Sequence, residues 1–435
     1  MRRLFLAGLL VFFASSLKAE IKPGTVIDST NVSNYKELLP EAVNKRVEKG
    51  EYVLKVGKLG TPDLKNVYSE RFYSASSKNA GRYKLLDNGG IIDASTGKRP
   101  VPIGPGLPFP DIDEADPQAG TKIMWNFFST EFQANSQEVM WILKAIRGRS
   151  VEVEVIGKQA RLSYDFRTDP LTPKEDITYK EISLYLAPAD LFGTAVLTWR
   201  WTEPEKWDSG WMYIPSLRRT RRTSSANRSD PVGATDYMVD DVNGYAGKVE
   251  FFKWKLIKKT TMLLPYIPDS DGITVTFPRK CEWEKKKGAK AFVQPRYSIK
   301  WAYKEGAPKL AGWWPLNIVW IERPVYIVEG ISKDPYYSVG KQWLVVDAET
   351  YRVHMKFGWD RGGTYWRTQV MTQGYYMAPD NSISAAAAEI SFLVDEKRNR
   401  ASTSDRTAPE VVPTIFNLDL KEELFSMSNF VNYGK

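Results

Sequence analysis

The chemistry most visible in this sequence is a run of guanidinium groups. Arg218, Arg219, Arg221 and Arg222, with Arg228 close behind, follow the aromatic stretch Trp211-Met212-Tyr213-Ile214-Pro215. Guanidinium forks bind phosphate or carboxylate oxygens in pairs, so the run is either an anion site or one half of an ion-pair network. Asp230, Asp236, Asp240 and Asp241 stand downstream as candidate partners. Two readings are open. In one, the four arginines meet an anionic head group or a partner protein, with Asp236, Asp240 and Asp241 belonging to the same contact. In the other, arginines and aspartates pair internally. On a strand, Arg218, Thr220 and Arg222 point one way and Arg219 and Arg221 the other, so each face can take one role.

Other reactive groups are scarce. His354 is the only histidine and Cys281 the only cysteine, which excludes Ser-His-Asp and Cys-His nucleophile systems, metal sites built from several histidines, and intrachain disulfides. Cys281, between Lys280 and Glu282, reads as an incidental thiol. His354, between Val353 and Met355, shares a polar strand face with Arg352 and Lys356. The carboxylate pairs Asp240/Asp241 and Glu282/Glu284 are poor acid/base pairs, because adjacent acids on a strand point oppositely and acids two apart make one charged face. No catalytic residue, metal or cofactor is expected.

The compartment is written at the N-terminus. Arg2 and Arg3 precede an apolar run over residues 4–14 and a small-residue stretch ending at Ala19, the pattern of a secretory signal peptide over residues 1–19. Removing it takes Arg2, Arg3 and Lys18 and lowers the formal charge from +9 to +6. A secreted, mildly basic chain has no use for nucleic acid, while transient contact with an anionic membrane fits the same charge.

The elements that must position these residues divide in two. Residues 39–49 predict a helix with Pro40 in its first turn and Gly50 as its stop; residues 62–76 predict a second helix, and a third opens at Gly120 and runs towards Lys144. Residues 88–117, dense in Gly, Pro and Asp, predict an extended covering segment. Beyond Arg149, apolar and polar residues alternate in segment after segment, as in Leu197-Thr198-Trp199-Arg200-Trp201 and Phe252-Lys253-Trp254-Lys255-Leu256, which predicts roughly ten antiparallel strands including one over residues 297–303. The organisation expected is helices and covering segment over 20–149, a curled antiparallel sheet over 150–396, and a tail over 397–435 ending in a short helix, all in one domain. The fold class is α+β, mainly antiparallel β.

Taken together, these residues resemble a family. Trp211-Met212-Tyr213-Ile214-Pro215 running into Arg218-Arg219-Thr220-Arg221-Arg222, then Gly233-Ala234-Thr235-Asp236-Tyr237 and the pair Asp240-Asp241, is similar to the pattern of periplasmic proteins related to the lipoprotein-sorting carriers LolA and LolB. Pro108-Phe109-Pro110, Asp116-Pro117, Trp125-Asn126, Arg323-Pro324-Val325, Val346-Asp347 and Glu349-Thr350 resemble a long-chain family of unknown function within that group. Ala234 and Tyr237 stand where that family usually has serine and phenylalanine. The resemblance implies a half-open β-barrel around helices, a periplasmic location, an apolar cavity for a lipid or other hydrophobic molecule, and work beside an RND-type membrane transporter. On that reading Leu197, Trp199, Trp201, Trp211, Tyr213, Phe252, Trp254, Ile299, Trp301, Met355 and Phe357 line the cavity; the alternative is ordinary core packing. The competing class is a carbohydrate-binding or polysaccharide-active protein with tryptophan platforms and a carboxylate pair.

Overall fold

The computed structural model describes residues 21–224, 228–285 and 290–433. The expected signal peptide at 1–19 lies outside the described residues. No helix among those described is long and apolar enough to cross a membrane.

Alternating sequence becomes one very large sheet. Its strands are β1 (Ser136–Arg147), β2 (Ser150–Ser163), β3 (Ile177–Ala187), β4 (Ala195–Trp201), β5 (Ser209–Ile214), β6 (Arg219–Thr223), β7 (Phe252–Tyr266), β8 (Val319–Ser332), β9 (Val339–Asp347), β10 (Val353–Asp360), β11 (Tyr365–Met377), β12 (Ser384–Asp395) and β13 (Arg400–Asp405). Antiparallel ladders run β6-β5-β4-β3-β2-β1 and, through β1-β13, continue β12-β11-β10-β9-β8-β7. Among the described residues no ladder joins β6 to β7, so the curled sheet is a half-open barrel with a seam between these two edges. Residues 228–251 cross that seam as a strap.

The helices are fewer and shorter than the sheet. Helix α1 (Glu41–Glu48) starts after Pro40 and buries Val43 and Val47; α2 (Glu70–Asn79) is capped by the Ser69 side chain. Helix α3 (Ala119–Phe132) lies inside the curl, since it touches strands from both halves. Phe132 packs on Tyr179 of β3, Glu131 pairs with Arg161 of β2, and Gln133 just past its end accepts from Ser384 of β12. The helix expected to reach Lys144 stops at Phe132. Asn135 takes a left-handed φ of 68°, and 136–147 then pairs with 150–163 about the Arg147–Ser150 turn, where Gly148 has a φ of 59°. The sheet therefore begins before Arg149, and β13 carries it past residue 396.

Two coats cover the outer face. Tyr52 stacks on Trp314 at 4.1 Å and meets Phe392 of β12 edge-on, making Trp313-Trp314 a brace that joins the N-terminal coat to the sheet. Residues 297–303 are extended but join no ladder beyond one bridge from Trp301 to Pro315, and end in the helical turn Ala302–Glu305. Their alternation marks a segment lying on a surface, not a strand. Helix α4 (Met427–Tyr433) and the turn Glu422–Phe425 cover β2 to β5 through Phe425 and Phe430. Within 88–117, Ile91–Asp93 pairs with Tyr83–Leu85 in a short hairpin, Phe109 and Asn126 of α3 exchange hydrogen bonds, and Arg99 pairs with buried Asp165.

Two outcomes follow. A Cβ at Gly120 would lie 2.7 Å from the backbone of Lys255 and Leu256 in β7, so α3 can approach that edge strand only as glycine. Gly120→Ala is expected to lower stability by about 1–3 kcal/mol in thermal unfolding despite alanine's better helix propensity. His354 is fully buried beside Tyr266, so its polar face is an interior one. Burial pushes its imidazole down to about 3 against the pull of Asp347. In the unfolded chain it titrates near 6.5, so stability complete above that value is lost as pH falls towards 3. Between pH 7 and 5 this group removes about 2 kcal/mol, and urea titrations of His354→Asn at those pH values should show the dependence reduced by that amount.

Candidate functional site

Between the strap and the inner face of β1 to β6 lies a cavity of about 280 Å³. Its apolar wall comes from Trp141 and Leu143 of β1, Tyr185 of β3, Val196 of β4 and Met212 of β5, roofed by Val232, Tyr237, Val239 and Val242 of the strap. Ala388 and Ile390 of β12 close the far end. Its polar lining is Gln159, Glu181, Asp208, Arg228, Asp241, Asn243, Glu389 and Arg406, together with hydroxyl groups such as Thr198 and Ser391.

Buried ion pairs hold the strap down. The Asp241 carboxylate takes Lys356 of β10 at 2.7 Å and Arg367 of β11 at 2.6 Å, and accepts the Met238 amide at 2.8 Å. Burial raises the pKa of this carboxyl, but Arg367 and Lys356 outweigh burial and hold it below the usual range. Asp240 accepts from Arg228 at 2.6 Å and from Tyr337 at 3.0 Å. Asp208, at the end of the β4-β5 return, holds both Arg200 and Arg228. Asp236 is gripped by Arg400 and Ser402 of β13. Asp236 and Asp241 are thus satisfied by cations from distant strands, Arg400, Lys356 and Arg367, that spacing along the chain does not reveal, while Asp240 takes Arg228 from just beyond the run.

The arginines themselves stand apart. Arg218, at a left-handed φ of 48°, turns the hairpin between β5 and β6, and Arg218, Arg219, Arg221 and Arg222 are all exposed. No ion pair links any of them to a carboxylate among the described residues. Register pairs Arg221 with Met212 and Arg219 with Ile214, placing these two on the cavity side, whereas Arg222 pairs with Trp211.

None of the residues expected to line the cavity does so. Leu197, Trp199, Trp211 and Tyr213 face outward and pack beneath the C-terminal helix, where the Trp199 indole donates to the Phe425 carbonyl at 3.1 Å. Their neighbours Val196, Thr198, Gly210 and Met212 form the wall instead. Trp201 lies at the end of β4 with its indole on Ser209 and the Lys206 ammonium over its ring. Phe252 and Trp254 stack on each other and against Tyr245 of the strap. Trp301 is buried in the outer coat, where its indole reaches Asp405 at 3.3 Å. Ile299, Met355 and Phe357 are buried in the main apolar core. The physical reason is common to β4 and β5: the large aromatic and apolar side chains seek the dry interface with the C-terminal helix, and the mixed stripe of Val196, Thr198, Gly210 and Met212 turns inward under the strap.

Reading the sequence for pairs and runs missed the interior charges. Glu131, Arg161, Arg352, Asn243 and Arg406 converge from α3, β2, the entry to β10, the strap and the end of β13. No spacing along the chain links Glu131 to these partners. Cys281 is buried, and burial pushes its thiol up to about 12, leaving it unreactive. No group of histidine, cysteine or acidic residues among those described has the arrangement of a metal site.

The comparisons with known proteins agree in kind. No curated protein sequence matches the chain. Among solved structures, it is similar to a putative outer membrane lipoprotein-sorting protein domain from Vibrio parahaemolyticus, at 15% identity and a TM-score of 0.47 over 73% of this chain and 100% of that one. It is also similar to a DUF1329 family protein from Desulfovibrio piger, at 13% identity and 0.47 over 73% and 100%. A LolA superfamily protein from Nitrosomonas europaea matches at 13% identity and 0.40 over 71% and 98%. Residues 26–429 match the family described as "Protein of unknown function (DUF1329)", and the chain belongs to that family.

Proposed function

We propose that this protein is a periplasmic carrier that shelters a lipid or other hydrophobic molecule, and that it serves an RND-type transporter or outer-membrane lipid traffic. The observation that carries the reading is the cavity of about 280 Å³ under the strap, close to the lower end of ligand-pocket sizes. Burying apolar cargo there contributes roughly 0.8 kcal/mol per methylene. Cargo enters by displacement of the strap at the seam between β6 and β7. The exposed arginines Arg218, Arg219, Arg221 and Arg222, with Leu217 47% exposed at the hairpin tip, are the surface offered to a partner or, transiently, to an anionic membrane. The lipoprotein-sorting and LolA-superfamily relatives point the same way by their names.

The carbohydrate reading has less support. Trp199 and Trp211 are covered by the C-terminal helix, and the carboxylates in the cavity wall are held by cations or hydrogen bonds. Neither arrangement offers a sugar platform with a free acid/base pair.

Native mass spectrometry of protein purified without detergent, followed by lipid extraction, is expected to reveal a bound amphiphile; protein that is empty and takes up no fluorescent fatty acid would sink the carrier reading. The strap gives a second test. Asp241→Asn leaves Lys356 and Arg367 buried without their counter-charge, a change expected to cost about 3–5 kcal/mol. Amide exchange over residues 228–244 should accelerate more than exchange in β8 to β12, together with faster release of the fluorescent probe.

A further inference from the structure

The cavity contains an unbalanced charge. Its other charged lining residues have opposite partners: Glu181 takes Arg161 at 3.0 Å, Asp208 takes Arg200 at 2.8 Å, Arg228 takes Asp240 at 2.6 Å, Asp241 takes Lys356 at 2.7 Å, and Glu389 stands 3.6 Å from Arg279. Arg406, the residue after β13, lines the same cavity with no carboxylate at ion-pair distance among the described residues. Among the described residues its side chain makes one hydrogen bond, from Nη1 to the Asn243 Oδ1 at 2.9 Å.

Asn243 turns its amide nitrogen to Glu131, and that carboxylate already serves Arg161 at 3.3 Å and Arg352 at 2.9 Å. Three guanidinium groups thus gather around Glu131 and Glu181, leaving one positive charge in excess. The Arg352 Nη1 stands 2.9 Å from the Glu131 Oε2, and among the described residues its Nη2 has no hydrogen-bond acceptor. Burial pushes the Arg406 guanidinium below its usual range, Glu131 resists, and Arg161 and Arg352 add to the push. A cation left in such surroundings is unfavourable unless something brings the missing negative charge and its oxygens.

We propose that Arg406 is the head-group anchor of this cavity and that the cargo is an anionic amphiphile. Its carboxylate or phosphate sits on the Arg406 guanidinium beside Asn243, and its tail lies along Leu143, Val196 and Met212. This deepens the carrier reading and rests on it. A volume of about 280 Å³ corresponds to roughly nine water-sized volumes of ~30 Å³, so with the strap closed the cavity takes a head group and a tail on the order of eight carbons. The exposed Arg219 and Arg221 stand on the same sheet face at the open edge, where they attract the anion without anchoring it.

The test is displacement of a bound fluorescent probe by octanol, octanoate and octyl phosphate, on the wild type and on Arg406→Gln and Arg406→Lys. The wild type should bind octanoate or octyl phosphate about tenfold or more tightly than octanol; which of the two leads tells a fatty-acid head from a phosphate head. Arg406→Gln should lose that preference while keeping the affinity for octanol, and Arg406→Lys should retain part of it. The melting temperature of Arg406→Gln should equal or exceed that of the wild type, because a surplus charge is removed; a lower one would make Arg406 structural. Equal affinities for octanol and the anions in the wild type, or a preference that survives in Arg406→Gln, would overturn the anchor and leave the carrier standing. A wild type that binds none of the three would overturn the carrier reading itself.

Discussion

The contact on which the rest of this molecule depends is the buried carboxylate of Asp241 between Lys356 and Arg367. Two adjacent strands, β10 and β11, point cations into the curl of the sheet, where water is largely excluded. Left alone, those charges would have to remain hydrated or uncompensated, and a charge buried without a partner costs several kcal/mol. The strap brings Asp240 and Asp241 to the inside of the sheet, and the same pairing fixes the strap in place. Asp208 and Asp236 repeat the arrangement at its flanks.

This explains why the curl does not collapse on itself. Helix α3 fills one half of the concavity with Phe127, Phe128 and Phe132, edge to face or stacked, and its glycine lets it reach the β7 edge. The strap roofs the other half but stands off from β1 to β6, because its anchors are set by ion-pair distances and not by apolar contact. What remains is the cavity. Its walls are mixed in character.

The seam leaves two strand edges unpaired, a hazard for association through β-sheet extension. Both are rich in exposed cations: Arg219, Arg221 and Arg222 on β6, and Lys253, Lys255, Lys258 and Lys259 on β7. Like charges facing across a seam, and against a second copy, discourage edge pairing. The exposed arginines therefore add to the electrostatic cost of pairing at this edge.

Much of this was legible in the sequence. Period-two alternation announced a large antiparallel sheet, and Pro40 and Gly50 bracketed α1. The resemblance carried by Trp211 to Asp241 led to the right fold. Alternation also separated Leu197 and Trp199 from Thr198 as opposite faces of β4. It could not state which face is inside. That was decided by contacts hundreds of residues apart, such as Phe425 with the outer face of β4, Asp241 with Lys356, and Asn243 with Arg406, whose partners are brought together only when the sheet curls. A strand has two faces by local geometry alone, but inside and outside are properties of the closed shape. The sequence therefore determined the stripes, and the tertiary structure assigned the aromatic stripe of β4 and β5 to the outer coat and the mixed one to the cavity.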